Sequence, residues 1–340
     1  MLAPPCRVKE MTSRFSRRRV LQYLGAMAGF PGGLCWTSSP GMTSPTNIPA
    51  LPKFDYSKIK NPVWRLPDIH LRDPAALVVQ GKVHIWFTYY DPKKASWHIG
   101  QSATEDFLEF DPIRLVSPSG YASPGNVIRL GEEWILCYQQ YAKFPHYLCI
   151  SRSRDLVDWS EPEKIFNTGP ENRWNIDGRT IDPLLIPWQG KFYLFYTGST
   201  RWGRKRGHNL IGLAVSDDLK HWTDLSPDKP IIPADQPYEQ PDGNENNWVM
   251  RYQHRWFMLY SASLRYQKIA YAISEDLIHW EKKGLCNVKV FPESSRRFGA
   301  PVVLENISGP GFYYMLFQGE DPTGHVSFFL LESQNLVDWA

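Results

Sequence analysis

The chain has 340 residues, 42% hydrophobic and 21% charged, with 14 Trp, 17 Tyr and 17 Phe. Its net charge is +3, but Arg7, Lys9, Arg14, Arg17, Arg18 and Arg19 face only Glu10 in the first 40 residues, which leaves the rest close to neutral. A near-neutral body gives nucleic acid no electrostatic hold, and the length suits one large all-β domain or two smaller ones.

Ser16-Arg17-Arg18-Arg19-Val20-Leu21-Gln22 resembles the twin-arginine export signal. A Gly-bearing apolar run follows from Val20 to about Trp36, is broken by Pro31 and Gly32, and is too short to span a bilayer. Residues 1–40 are therefore expected to be an export signal and linker. The expected destination is the bacterial periplasm or medium, with no membrane attachment once the signal is removed. Residues 41–66 begin rich in Pro, Ser and Thr and are expected to become ordered near Phe54.

An internal repeat then takes over. Its marker is D-L-x-x-W: SRDLVDW (153–159), SDDLKHW (216–222), SEDLIHW (274–280), SQNLVDW (333–339) and a degenerate TEDFLEF (104–110). Each unit opens on Asp73-Pro74, Ser123-Pro124, Asn246-Asn247, Asp182-Pro183 or Ala300-Pro301. An apolar strand, a turn, an aromatic strand such as KVHIWFTYY or KFYLFYTGS and a third strand follow, with a short fourth where the chain allows. Five copies of a four-strand unit predict an all-β fold, a five-bladed β-propeller over residues 41–340, in which each blade buries its faces only against its neighbours. The last copy stops at Trp339-Ala340, before a fourth strand, so part of residues 50–66 is expected to cover that bare edge. Cys137, Cys149 and Cys286 lie beyond the signal; an odd number cannot all pair, and one Cys137–Cys149 bridge stands as the alternative to buried free thiols.

In a propeller the start of strand one and the end of strand two of every blade open on the same face. Asp73, Ser123, Asp182, Asn246 and Ala300 therefore ring one mouth, with Glu245 directly before the fourth. Three carboxylates, Asp73, Asp182 and Glu245, are predicted to converge there. Glycoside hydrolysis needs two carboxyl groups flanking the bond, one protonated and one ionised, and a third nearby raises the pKa of the acid. Tyr90, Trp97, Trp202 and Trp248 lie on or near the rim loops as candidate platforms for a sugar face, and Arg297 opens blade five as a candidate ligand for a hydroxyl or carboxylate. The loop 198–209 carries Arg201, Arg204, Lys205 and Arg206, a charge run that would suit an acidic polysaccharide if it folds over the mouth. No nucleotide motif and no metal-ligand spacing is present, so neither a cofactor nor a metal is expected.

The five-blade repeat, the Arg-Asp-Pro opener, the Ile-Asp-Pro of blade three and the Glu opening blade four resemble glycoside hydrolase family 43, over about residues 66–340. The resemblance implies an inverting hydrolase of oligosaccharides or polysaccharides. It implies Asp73 as the base that activates water, Asp182 as the group that tunes and orients the acid, and Glu245 as the acid. The family usually follows its Glu with a small residue and Pro, whereas Asn246-Asn247-Trp248 follows here; Glu239 and Asp242 in the same loop are alternatives for the acid. Other readings are a retaining fructosidase similar to family 32, an anhydrogalactosidase similar to family 117, and a non-catalytic sugar-binding propeller.

N-terminal sequencing of exported material should find a start beyond residue 40; protein that still begins at Met1 contradicts the export signal.

Overall fold

Every residue of the second strand in each blade is wanted on one side or the other, because a blade is covered on both faces. Alternate side chains along the strand go to opposite neighbours. In the computed structural model Ile85 and Phe87 enter the core shared with blade five, while Trp86 between them enters the core shared with blade two. The structure describes residues 50–91, 94–176, 178–200 and 208–340, all within one compact unit. The predicted signal at 1–40 lies outside the described residues.

The five blades are antiparallel sheets taken in chain order. Blade one is Arg72–Val79, Lys82–Asp91, Ser96–Thr104 and Arg114–Leu115; blade two is Tyr121–Leu130, Glu133–Gln140, Tyr147–Ser153 and Glu163–Phe166. Blade three is Ile181–Trp188, Lys191–Ser199, Asn209–Ser216 and Trp222–Asp224; blade four is Asn244–Tyr252, Arg255–Ala262, Lys268–Ser274 and Trp280–Leu285. Blade five has three strands, Arg297–Glu305, Tyr313–Glu320 and Val326–Ser333. The inner strands pack side by side around the axis. Five hydrophobic clusters fill the five junctions between blades, one per junction. The same alternation separates two cysteines. Cys137 faces the blade two–three junction and Cys149 the blade one–two junction, so they lie on opposite faces of one sheet and are free thiols, as is Cys286.

The repeated turn is built by two side chains. In SRDLVDW, Ser153 Oγ accepts the N–H groups of Asp155 and Leu156, and Asp155 Oδ1 accepts those of Val157 and Asp158. The same scheme recurs at Thr104/Asp106, Ser216/Asp218, Ser274/Asp276 and Ser333/Asn335. These bonds hold the following Phe107, Leu156, Leu219, Leu277 and Leu336 at φ 62–70°, a conformation large side chains avoid. Each of these five side chains is buried, which offsets the strain.

The outer edge of blade five is covered as its missing fourth strand requires. Along Val326–Ser333 the alternate residues present N–H and C=O groups outward, and residues before the first blade meet them in turn. Leu71 N–H and His70 Nδ1 serve Val326. Trp64 pairs with Phe328 by two backbone bonds. The Asn61 amide imitates a strand at Leu330, donating to its C=O and accepting its N–H, both at 2.8 Å. Tyr56 and Ala340 serve Glu332. Leu51, Phe54 and Trp64 meanwhile enter the core between blades five and one. The segment is thus a latch that joins the last blade to the first.

Replacing Asn61 with Ala leaves two edge groups of Leu330 without protein partners. A loss of about 1–3 kcal/mol is expected, read as a lowered denaturation midpoint; an unchanged midpoint contradicts the latch.

Candidate active site

Each inner strand begins with a β-bulge, and the register shifts there in all five blades. The bulged residues are Asp73, Ser123, Asp182, Asn246 and Ala300, all at φ 45–50°. Asp and Asn tolerate that region better than most residues. Glu245 lies one position earlier, opposite Ser261, so its side chain enters the mouth from a different backbone site than the two Asp.

The bulge turns the N–H toward the preceding blade, and a polar side chain on that blade's second strand accepts it. Gln318 accepts from Asp73 at 2.9 Å, Thr88 from Ser123 at 2.8 Å, Gln139 from Asp182 at 2.8 Å and Ser261 from Ala300 at 2.8 Å. Thr197 stands at the fifth such position, with its hydroxyl buried. These five residues each follow a fully buried aromatic: Phe87, Tyr138, Tyr196, Tyr260 or Phe317. The aromatic-then-polar pair is therefore a second repeat marker, and its polar member varies among Thr, Gln and Ser, which hides the period.

The hydroxyls also join the carboxylates. Thr88 donates to Asp73 Oδ2 at 2.8 Å, and Ser123 donates to Asp182 Oδ1 at 2.9 Å. Asn246 Nδ2 reaches Asp73 Oδ1 at 3.5 Å. Glu245 accepts from Asn209 Nδ2 at 2.9 Å and from Gln267 Nε2 at 3.0 Å. Two glycines make the approach possible. A Cβ on Gly243 would lie 2.0 Å from the Asn209 carbonyl oxygen, so only glycine lets this loop bring Glu245 against Asn209. A Cβ on Gly125 would lie 1.6 Å from the Pro183 oxygen, where the inner strands of blades two and three nearly touch.

The three carboxylates share one electrostatic field. Asp182 is only 7% exposed, and burial, reinforced by the charges of Glu245 and Asp73, pushes its carboxyl well above the usual range. Burial also raises Glu245, with Asp73 adding; Arg179, the Asn209 bond and Arg297 pull the other way. Arg179, 5% exposed and three residues before Asp182, is the buried cation of the site, and sequence reading missed it. Nothing in a lone Arg before a strand announces burial; its backbone N–H is held by Asn175, which also takes the Ser199 N–H. Tyr141 was missed as well; its phenol is raised by burial and feels Asp73, Asp182 and Glu245 together.

Other predicted residues fall out differently. Tyr90 and Trp97 lie on the rim, ring centres 4.6 Å apart. Trp248 is not a rim residue: it packs against three core clusters and lines the floor of the axial channel, because the bulge at Asn246 turns it inward. Arg297 is engaged by Glu320 at 2.6 Å and by the Leu264 carbonyl at 2.8 Å. Trp202 and the charge run from Arg201 to Arg206 lie outside the described residues. Glu239 is fully buried and bound by Lys282, Tyr260 and Asn244, and Asp242 is bound by the Arg265 N–H, so both serve the loop that carries Glu245.

A buried carboxyl with a raised pKa costs folding stability above its unfolded pKa, near 4, where the unfolded state ionises freely. Asp182→Asn keeps the acceptor for Ser123 and removes that charge. The variant should melt above the wild type at pH 7, with the gain shrinking toward pH 4. A variant less stable at pH 7 contradicts the assignment of Asp182 as the strained member.

Residues 118–237, which take in blades two and three, match the family model of Glycosyl hydrolases family 43. No curated protein sequence matches the chain. Among solved structures, an α-L-arabinofuranosidase from Lactobacillus brevis superposes with TM-score 0.61 at 16% identity, covering 82% of this chain and 94% of that one. A thermostable family-43 glycoside hydrolase gives 0.61 at 15% identity over 78% of this chain and 90% of its own. A family 117 glycoside hydrolase from the marine bacterium Zobellia galactanivorans gives 0.57 at 16% identity over 78% and 87%. At these identities the superpositions carry the five-bladed fold; the likeness to family 43 rests on residues 118–237, and it points to hydrolysis of glycosidic bonds.

Proposed function

We propose that the protein cleaves oligosaccharides or polysaccharides by a single displacement in which Asp73 is the base, Glu245 the acid and Asp182 the group that tunes the acid. The observation that carries this reading is the convergence of Asp73, Asp182 and Glu245 on one mouth, each oriented by side-chain hydrogen bonds, with burial raising Asp182 and Glu245. An inverting hydrolase needs one carboxyl that keeps its proton near neutral pH and one that takes a proton from water. Glu245 suits the first role. It is pushed upward by burial and by Asp73, and its two amide donors, Asn209 and Gln267, fix its orientation. Asp73 suits the second: Thr88 and Asn246 hold its two oxygens, leaving lone pairs for a water. Asp182 accepts from Ser123, and the Glu245 charge raises its carboxyl through space, so the two are electrostatically linked.

The sugar that is cleaved would rest against Tyr90 and Trp97, whose apolar ring faces and polar tips suit a carbohydrate. An exported enzyme of this kind would meet polysaccharide fragments outside the cytoplasm, which agrees with the twin-arginine pattern at residues 16–22.

Substitutions separate the roles. Asp73→Ala should abolish turnover on every glycoside. Glu245→Ala should lose far less on nitrophenyl glycosides than on natural ones, because an acidic leaving group departs with little protonation. Equal losses on both substrate types contradict Glu245 as the acid, and full activity in Asp73→Ala contradicts the catalytic reading as a whole.

A further inference from the structure

The rim of blades one and two carries more aromatic surface than one sugar needs. From Tyr90 and Trp97 the rings continue to Tyr141, 5.5 Å from Trp97, then His146, stacked on Tyr141 at 5.4 Å, then Phe144, 4.7 Å from His146. Tyr141, in the middle of this run, lies beside the mouth: its N–H donates to Gly120 O, three residues before the bulged Ser123, and its phenol feels all three carboxylates. Its outer end is in solvent: Phe144 is 48% exposed. Ile176, 58% exposed, stands on the loop that leads into blade three. The two loops touch, for a Cβ on Gly178 would lie 3.1 Å from the Pro145 Cβ. Both are built rather than slack. The N–H groups of Tyr141 and Ala142 donate to Gly120 O, Asn167 donates to His146 O, and Gly178 N–H donates to Asn175 O.

Large apolar side chains held out at the mouth of a polar pocket mark a binding surface when they are continuous with it. The ring run is a file of single side chains, and it starts from the two rings proposed to hold the cleaved sugar. A chain molecule fits this shape better than a compact one does. Resting on the glycosidase reading, we propose that the strip from Trp97 through Tyr141 and His146 to Phe144 and Ile176 is a distal glycan subsite. It takes sugar units of the same chain beyond the one cleaved, so that the substrate is an oligomer or polymer extended over blade two. His146 is a supporting ring rather than a titrating group: burial, with the Arg179 charge, pushes its imidazole down to about 4, so it stays neutral at the working pH.

Two measurements test the strip. In native affinity gels containing arabinan, xylan or agarose, Asp73→Ala protein should be retarded in at least one. Adding Phe144→Ala and Ile176→Ser should remove that retardation with the melting temperature unchanged. Equal retardation with and without the two changes, or none in any gel, overturns the proposal. On the oligosaccharides of the retarding polymer, Phe144→Ala should lower kcat/KM for six units about tenfold and leave the nitrophenyl monosaccharide within about twofold. Equal falls on both substrates also overturn it. A wild-type protein that binds the polymer through these residues and hydrolyses no glycoside would instead remove the catalytic reading and leave the strip standing.

Discussion

At the mouth of the ring, an amide N–H at positive φ is caught by the blade before it. The strained conformation costs on the order of 1–3 kcal/mol per residue, and one hydrogen bond returns about 0.5–1.5 kcal/mol, so the bond alone does not hold the bulge. The buried aromatic beside each acceptor supplies the rest, by fixing the acceptor on a strand packed on both faces. What the arrangement gains is direction: the bulge points Asp73 and Asp182 at the axis instead of into a sheet. Because each acceptor belongs to a neighbouring blade, the site exists only in a closed ring. The last acceptor, Gln318 in blade five, holds Asp73 in blade one. The latch of residues 51–64 on blade five thus bears on the position of Asp73 as well as on the fold.

The charges work against this order. Three carboxylates share the mouth, and burial and mutual repulsion raise two of them. Arg179 opposes the repulsion and is itself depressed by burial, so neither sign of charge is at ease. Such tension is expected where a group must keep a proton that water would remove. The hydrogen bonds that Thr88 donates to Asp73 and Ser123 to Asp182 fix the geometry without neutralising the charge.

The repeat, the blade count, the mouth and the uncovered last edge were legible because each follows from a strict period in the sequence. The latch was foreseen in place but not in means, since an Asn side chain that copies a strand leaves no pattern. The Ser or Thr two positions before each turn Asp, or Asn335 in the last copy, and the polar residue after each buried aromatic recur in all five copies, but small polar residues are too common for their period to stand out beside the Trp and Leu of the same turns. Arg179 and Tyr141 depend on loops folding back over the axis, which no local period encodes. Trp248 shows the converse error: rim and floor are only a residue or two apart across a bulge, and a bulge reverses which way a side chain points.

The proposed roles of the three carboxylates imply one stereochemical course, and proton NMR of the first product, taken before the released sugar equilibrates, tests it most directly. Single displacement with Asp73 as base predicts that the new hemiacetal appears with the anomeric configuration opposite to that of the bond cleaved. A first product of unchanged configuration would contradict the assignment and make one of these carboxylates a nucleophile instead.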